Sequence, residues 1–159
     1  MPHTPVPADE LSARLDRLRH TMTQRDPAWS MMILDNKIDL YYFTGTMQEG
    51  ALVITPDKAS LFVRRSYDCA RQESLFDDIR PLGSFRGIAE AFPNIPETVY
   101  VASRTMTLQK LAMLNKYLPF TPKSADNVLA ELRTTACASP VVCISKSSRR
   151  LRLPCCAPV

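Results

Sequence analysis

The segment ALVIT-PDK-ASLFVR, residues 51–64, is the strongest structural signal in the sequence. Its two runs, Ala51–Thr55 and Ala59–Arg64, consist mostly of apolar and β-branched residues, which favour strands. Between them, Pro56 presets the backbone for a tight turn and Asp57 suits the second central position. The pattern therefore predicts a β-hairpin. Because neither strand alternates between apolar and polar residues, we expect both of its faces to be covered, near the centre of a sheet.

The chain on either side of this hairpin alternates between short apolar runs and amphipathic segments. The further runs interpreted as extended are Trp29–Leu34, Leu40–Gly45, Asp78–Leu82 and Thr98–Ala102. Helices are predicted after Asp9, after Ser66, over 85–92, after Thr107 and after Ser124. The apolar face of the first consists of Leu11, Leu15, Leu18 and Met22, and that of the helix after Thr107 consists of Leu108, Leu111, Leu114 and Leu118. Strands that alternate with helices after a hairpin predict an α/β fold, with a mixed β-sheet flanked by helices.

The sequence divides into three parts of different composition. Residues 1–8 form a proline-rich lead, residues 9–133 form the predicted domain, and residues 134–159 form an atypical tail that we interpret as non-native or disordered. The tail carries four basic residues and no acidic ones, so the remaining chain has 16 residues of each sign. A nucleic-acid-binding domain carries a basic patch on its folded surface. The charge balance of residues 1–133 therefore argues against nucleic acid as a partner.

Cysteine use and hydropathy suggest a cell compartment. Only Cys69 lies in the first 133 residues, and the four tail cysteines lack the short spacing of structural zinc sites. A single thiol in a domain of this size suits a reducing compartment. No apolar run approaches the ~18–20 residues that span a bilayer, and the N-terminus lacks the features of a secretory signal. We therefore expect a cytoplasmic protein with no membrane partner.

The residues before the tail form no recognisable catalytic constellation. The two histidines, His3 and His20, lie in the lead and near the end of the first predicted helix, and the four glycines of the sequence leave no phosphate-binding loop. Cys69 is a candidate nucleophile beside several arginines, but no local motif supplies a histidine base. None of the carboxylates has a partner at a spacing that suggests acid–base work, and most are interpreted as solvated loop or capping residues; they are Asp35, Asp39, Asp77, Asp78, Glu90 and Glu131. We therefore predict no catalytic residue and no metal ligand in this chain.

The stretch around the hairpin resembles a known family. The run IDLYYFTGTMQEGALVITPDKASLFVRRSYDCARQES, residues 38–74, is similar to the N-terminal domain of the creatinase, prolidase and Xaa-Pro aminopeptidase group. Tyr42, Thr44 and Gly45 match its "YLTG"-like element. Arg65, Tyr67 and Ala70 approximate its "RYxxxA"-like helix start, with Ser66 where an aromatic residue is usual. The order of elements over residues 9–133 also fits, including the closing DNVLAELR helix.

The resemblance implies a creatinase N-terminal-like fold with ribonuclease H-like topology and a non-catalytic role. Relatives carry a C-terminal "pita-bread" domain in which two divalent metal ions, such as manganese or cobalt, activate a water. Only 26 residues follow Arg133, and they contain no Asp, Glu or His, so we expect this chain to be inactive alone. By analogy it contributes to a homodimer and gates a peptide-substrate cleft. The candidate cleft or interface residues are Tyr42, Thr44, Gly45, Met47, Arg65 and Tyr67.

Other interpretations stay open at this point. The domain can serve instead as a free-standing peptide- or protein-binding module of the same fold. A thiol-dependent activity centred on Cys69, and nucleic-acid binding through the tail, are further alternatives. The residues that distinguish a dipeptidase from an aminopeptidase or a creatinase-like hydrolase belong to the family's catalytic domain, so the sequence leaves the parent activity open.

Overall fold

The computed structural model describes residues 5–136, with side chains as far as Thr134. The described chain contains six helices and six strands. In chain order they are α1 (Ala8–Arg25), β1 (Met32–Leu34), α2 (Lys37–Thr44), β2 (Gly50–Ile54), β3 (Ala59–Val63), α3 (Tyr67–Glu73), β4 (Ile79–Pro81), α4 (Arg86–Ala91), β5 (Thr98–Val101), α5 (Leu108–Tyr117), β6 (Thr121–Ser124) and α6 (Asp126–Ala136). The predicted tail, residues 134–159, lies almost wholly outside the described residues.

The strands form one mixed sheet in the order β4-β3-β2-β1-β5-β6. The predicted hairpin is confirmed: β2 and β3 pair antiparallel from Gly50–Val63 to Ile54–Ala59, and the Thr55 amide donates to the Lys58 carbonyl at 2.7 Å across the turn. β1 pairs antiparallel with β2 and parallel with β5, whereas β4 and β6 join the two edges in parallel. The expected fold class, a mixed β-sheet flanked by helices, is confirmed.

Alternate strand residues point to helical layers on opposite faces of the sheet. In β1, Met32 and Leu34 belong to a core shared with α1, α2 and α6, whereas Ile33 belongs to a core shared with α4 and α5. All three side chains are fully buried, as are Leu52 and Val53 of β2. Burial on both faces explains why these strands show no alternation in the sequence.

The interpretation of Leu40–Gly45 as an extended segment is wrong, because these residues form most of α2 and its end. Asn36 caps this helix by accepting a hydrogen bond from the Ile38 amide at 3.3 Å. Gly45 ends it in the left-handed conformation (φ 78°) and donates its amide to Tyr41 at 2.9 Å. An asparagine cap before a helix and a glycine stop after it are standard helix signals, and here they override the aromatic, strand-like composition between them.

Smaller differences concern element ends and helix faces. The strand expected over Trp29–Leu34 is limited to its last three residues, and the sequence does not predict β6 because all four of its residues are exposed. Ser124 ends β6 instead of opening the last helix. Leu114 of α5 and Leu118, which caps the end of this helix, are buried as expected. Leu108 is instead 85% exposed, because it occupies the first turn, beyond the edge of the core.

Within residues 5–136 no helix combines the length and apolar character that crossing a membrane requires.

Candidate functional site

Most of the strands end at the same edge of the sheet. β5 and β6 run parallel to β1, and β3 and β4 share this direction because β2 is antiparallel to both β1 and β3. The residues that follow these five strands therefore lie along one edge, here called the carboxyl edge. They are Asp35, Arg64, Leu82, Ala102 and Ala125.

The connections leaving β1 and β5 separate at this edge. The chain after β1 enters α2 on one face of the sheet, whereas the chain after β5 enters α5 on the other face. A crevice opens where neighbouring parallel strands send their connections to opposite faces, and ligands of α/β proteins bind there preferentially. Lys110 Nζ lies 2.9 Å from Asp35 Oδ2 across this point. The topology therefore directs attention to the β1–β5 switch point.

A cleft of about 260 Å³ lies beside the switch point. Its lining residues come from α2 (Asp39), from the β5–α5 connection (Ala102, Arg104 and Thr105) and from α6 (Asp126, Ala130 and Arg133). Both charge signs are therefore present on its walls. The Arg104 amide donates to the Asp126 carboxylate at 3.2 Å, which joins the β5–α5 connection to the first turn of α6.

Asp39 is the buried ionisable group of this cleft, with only 1% of its side chain exposed. Its Oδ1 pairs with Arg133 Nη2 at 3.2 Å, and its Oδ2 accepts from the Asn36 side chain at 3.2 Å. Burial raises the pKa of Asp39 above its ordinary value, and the nearby Arg133 charge opposes the rise without cancelling it. A carboxyl group shifted by burial in a cleft is a common mark of a functional position.

Asp35 stands next to this group and is also largely buried, with 9% of its side chain exposed. Its Oδ2 pairs with Lys110, but its Oδ1 is the only buried side-chain oxygen or nitrogen among the described residues that lacks a hydrogen-bond partner. Asp35 and Asp39 are therefore exceptions to the interpretation of most carboxylates as solvated residues. The sequence signal for their burial was position. Asp35 lies between the buried strand β1 and the capping residue Asn36, and Asp39 lies in the first turn of α2.

Of the first three predicted site residues, Thr44 and Gly45 are buried and Tyr42 is half-buried. Arg14 Nη1 donates to the Tyr42 carbonyl at 2.7 Å, and its guanidinium lies 4.7 Å from the centre of the Tyr42 ring. Thr44 is fully buried, and its hydroxyl donates back to Leu40 at 2.6 Å. Together with the glycine stop of α2, these contacts fix the end of the helix.

The other three predicted residues are accessible. Met47 is 53% exposed, Arg65 is exposed, and Tyr67 is half-buried with its hydroxyl donating to the Ile79 carbonyl at 3.3 Å. A second cleft, of about 470 Å³ and more open to solvent, is lined in part by Tyr67. The loop containing Met47 is tied to α3 because Thr46 Oγ1 donates to Glu73 at 2.8 Å. The structure therefore buries Thr44 and Gly45, leaves Tyr42 and Tyr67 half-buried, and exposes Met47 and Arg65.

Metal ligation and thiol chemistry have little support in the described part of the chain. Residues 5–134 contain no group of three His, Cys, Asp or Glu side chains placed to hold a metal ion. Cys69 lies exposed on α3 as a free thiol, and the one histidine described, His20, lies on α1 with Gln24 as its side-chain partner. Among the described residues, no hydrogen bond connects the Cys69 thiol to a side chain that could act as its base, so the thiol-dependent alternative has no further support.

The fold and the carboxyl edge define an α/β domain with a switch-point cleft, and comparison with known proteins gives its family. The Creatinase/Prolidase N-terminal domain family matches residues 14–135. The chain therefore belongs to this family, as the resemblance of residues 38–74 indicated. A search of curated protein sequences finds no significant match.

Solved structures with the same fold include whole enzymes and isolated domains. The chain matches a prolidase from Pyrococcus furiosus with 22% identity and a TM-score of 0.63, over 74% of this chain and 37% of that one. It matches the Creatinase/Prolidase N-terminal domain of an X-Pro dipeptidase from Streptococcus pyogenes with 18% identity and a TM-score of 0.63, over 75% and 98% of the two chains. An aminopeptidase P from Streptococcus thermophilus matches with 18% identity and a TM-score of 0.64, over 77% and 98%. The chain thus spans a little over a third of the P. furiosus enzyme and nearly all of the two shorter structures.

Proposed function

We propose that this chain acts as the non-catalytic N-terminal domain of a prolidase- or Xaa-Pro aminopeptidase-like hydrolase, where it pairs subunits and closes the substrate cleft. The observation that carries the proposal is the family match over residues 14–135, which extends from within α1 to α6. The match over 98% of an isolated N-terminal domain supports the same role, because that domain is a unit of the same extent. In this role the two divalent metal ions and the water that they activate belong to a separate catalytic domain.

The accessible surface formed by Met47, Arg65 and Tyr67 is the proposed contact with a partner subunit or with substrate. Methionine, tyrosine and arginine are residue types enriched at protein interfaces, and Met47 and Arg65 are exposed while Tyr67 is half-buried. Tyr42, Thr44 and Gly45 contribute indirectly, because they hold the end of α2 from which the Met47 loop departs. Their substitution is therefore expected to alter folding before it alters recognition.

The first test measures catalysis. The purified 159-residue chain is incubated with Xaa-Pro dipeptides and longer Xaa-Pro peptides in the presence of Mn²⁺ or Co²⁺, and release of the N-terminal residue is followed. We expect no turnover above that of a mock purification. Metal-dependent hydrolysis that copurifies with the chain and persists through successive columns would disprove the non-catalytic assignment.

The second test measures self-association. Analytical ultracentrifugation of the full chain is expected to show a concentration-dependent dimer, and Met47→Glu is expected to weaken it by at least about tenfold, as for a moderate interface hot spot. Leu108→Glu is the matched control, because Leu108 is also an exposed apolar residue but lies on α5. A monomer at all concentrations, or equal effects of the two substitutions, would contradict the proposed surface.

A further inference from the structure

The cleft beside the β1–β5 switch point carries a cationic group without a partner. Among the described residues the Arg104 guanidinium makes no hydrogen bond and no ion pair, although its backbone amide is held by Asp126. Arg133, which also lines the cleft, pairs with Asp39 through Nη2, donates Nε to the Leu129 carbonyl at 3.3 Å and remains 40% exposed. Two arginine residues therefore line one small cleft, and the guanidinium of one of them is uncommitted among the described residues.

The size and charge of the cleft restrict what it can hold. A volume of about 260 Å³ lies just below the usual range for drug-sized ligands, so it suits a small molecule or the end of a chain. Asp39 and Asp126 add negative charge to the same walls, which disfavours a phosphate or another multiply charged anion. A single carboxylate matches the planar, forked geometry of a guanidinium and introduces only one negative charge.

We propose that this cleft is a carboxylate-binding site in which Arg104 is the principal ligand-binding residue and Arg133 assists. Its ligand is a small organic acid or the carboxyl terminus of a peptide, since both present the same group. Thr105 also lines the cleft, with its hydroxyl donating to the Ala102 carbonyl at 3.2 Å. This inference is independent of the proposed function, because it uses none of the accessible residues assigned to the interface.

The experiment titrates the ¹⁵N-labelled full chain with sodium acetate, with N-acetyl-trialanine bearing a free carboxyl terminus, and with the amide of the same peptide, at constant ionic strength. We expect saturable shifts of the Arg104 and Thr105 amide resonances with acetate and the free-acid peptide, and none with the amide. Tighter binding of the free-acid peptide than of acetate would assign the site to chain termini, and equal binding would assign it to small acids.

Variants establish which residue is responsible. Arg104→Gln is expected to weaken acetate binding by about tenfold, as expected for loss of one charge-assisted hydrogen bond. The control is Arg86→Gln, because Arg86 is an exposed arginine of α4 that pairs only with Glu90. Since Arg104 is exposed, its substitution leaves the core unchanged, and dispersed amide resonances verify the fold. The proposal is overturned if no probe gives saturable shifts, if the peptide amide binds as well as the acid, or if Arg104→Gln binds as tightly as the parent chain.

Discussion

Asp39 and Asp78 show that two aspartates of one domain can contribute to stability with opposite signs. Burial raises the pKa of Asp39, and a single arginine partner opposes this effect only in part. Burial also acts to raise the pKa of Asp78, but hydrogen bonds from Arg80 and Ser60 outweigh it, so the pKa of Asp78 is lowered. The difference lies in burial, because Asp39 is 1% exposed and Asp78 is 28% exposed, and in the donors around each carboxylate.

Replacing Asp39 by asparagine is expected to preserve or increase stability near neutral pH. The ionised form of a group with a raised folded-state pKa is disfavoured by folding, so its stabilising contribution falls as the pH rises through that folded pKa. The amide introduced by Asp39→Asn carries no such charge, and Arg133 is exposed enough to be solvated without its partner. Urea unfolding at pH 7 should show a free energy of unfolding equal to that of the parent chain or higher by about 1 kcal/mol. The difference should disappear in acid, where Asp39 is itself neutral, and a loss of stability at pH 7 would show that the pair is net stabilising.

Replacing Asp78 by asparagine is expected to have the opposite effect. A lowered folded-state pKa contributes stability that is present above the unfolded pKa and is lost as the pH falls through the folded pKa. Arg80 donates to both Asp78 oxygens, at 2.7 and 3.0 Å, and the Asp78→Asn side chain would keep the shape but lose the charge and one of the two acceptors. We expect a loss of about 1 kcal/mol at pH 7 that vanishes in strong acid, measured by the same unfolding series. A pH-independent loss would instead indicate a packing defect.

At the scale of the elements, the hairpin depends on close contact between its strands at one glycine. A Cβ atom added at Gly50 would overlap the backbone oxygen of Phe62 on β3. Backbone atoms of a central strand cannot move aside as a flexible side chain can. Gly87 in α4 offers the matched comparison, because a Cβ added there meets no atom within 4 Å.

Gly50→Ala is therefore expected to destabilise the chain by at least about 2 kcal/mol, in the range of other overpacked sites. Gly87→Ala is expected to be neutral or to stabilise by up to about 1 kcal/mol, because alanine loses less conformational entropy than glycine in a helix. Thermal and urea unfolding of the two variants would compare them directly. Similar stabilities for both would show that the strands can separate at Gly50 without cost.

For the whole molecule, the sequence predicts the fold class and most elements, but it misses the edge strand β6 and the helix α2. Continuous burial makes β2 and β3 recognisable, and one-sided burial does the same for α1. Burial leaves no such pattern in β6, because its four residues are all exposed and β5 is its only neighbour in the sheet. The prediction for α2 is wrong for a different reason, because local capping overrides the strand propensity of its aromatic residues.

The candidate site was harder to predict because it depends on connections distant in sequence. Asp39 and Arg133 come from helices separated in the chain by most of the sheet, and nothing in local spacing reveals that they meet. The family resemblance correctly identified the domain, but it pointed to residues such as Thr44 that the structure places in the interior. Only the topology, with β1 beside β5, reveals the cleft.

The order of the sheet also has a consequence for the kinetics of folding. Gly50 pairs with Val63 in a local hairpin, whereas Met32 of β1 pairs with Tyr100, much further along the chain. Closing the longer loop costs more entropy, so the hairpin is expected to form early and β5 to join late.

Val53 in β2 and Val99 in β5 are both fully buried in the same core, so their alanine variants form a matched pair. Stopped-flow measurements are expected to show that Val53→Ala mainly slows folding, whereas Val99→Ala mainly accelerates unfolding. The reverse assignment would place the β1–β5 pairing in the folding nucleus. With the expected result, the half of the sheet that carries the cleft would be the last to assemble, and the lifetime of the native state would depend on it.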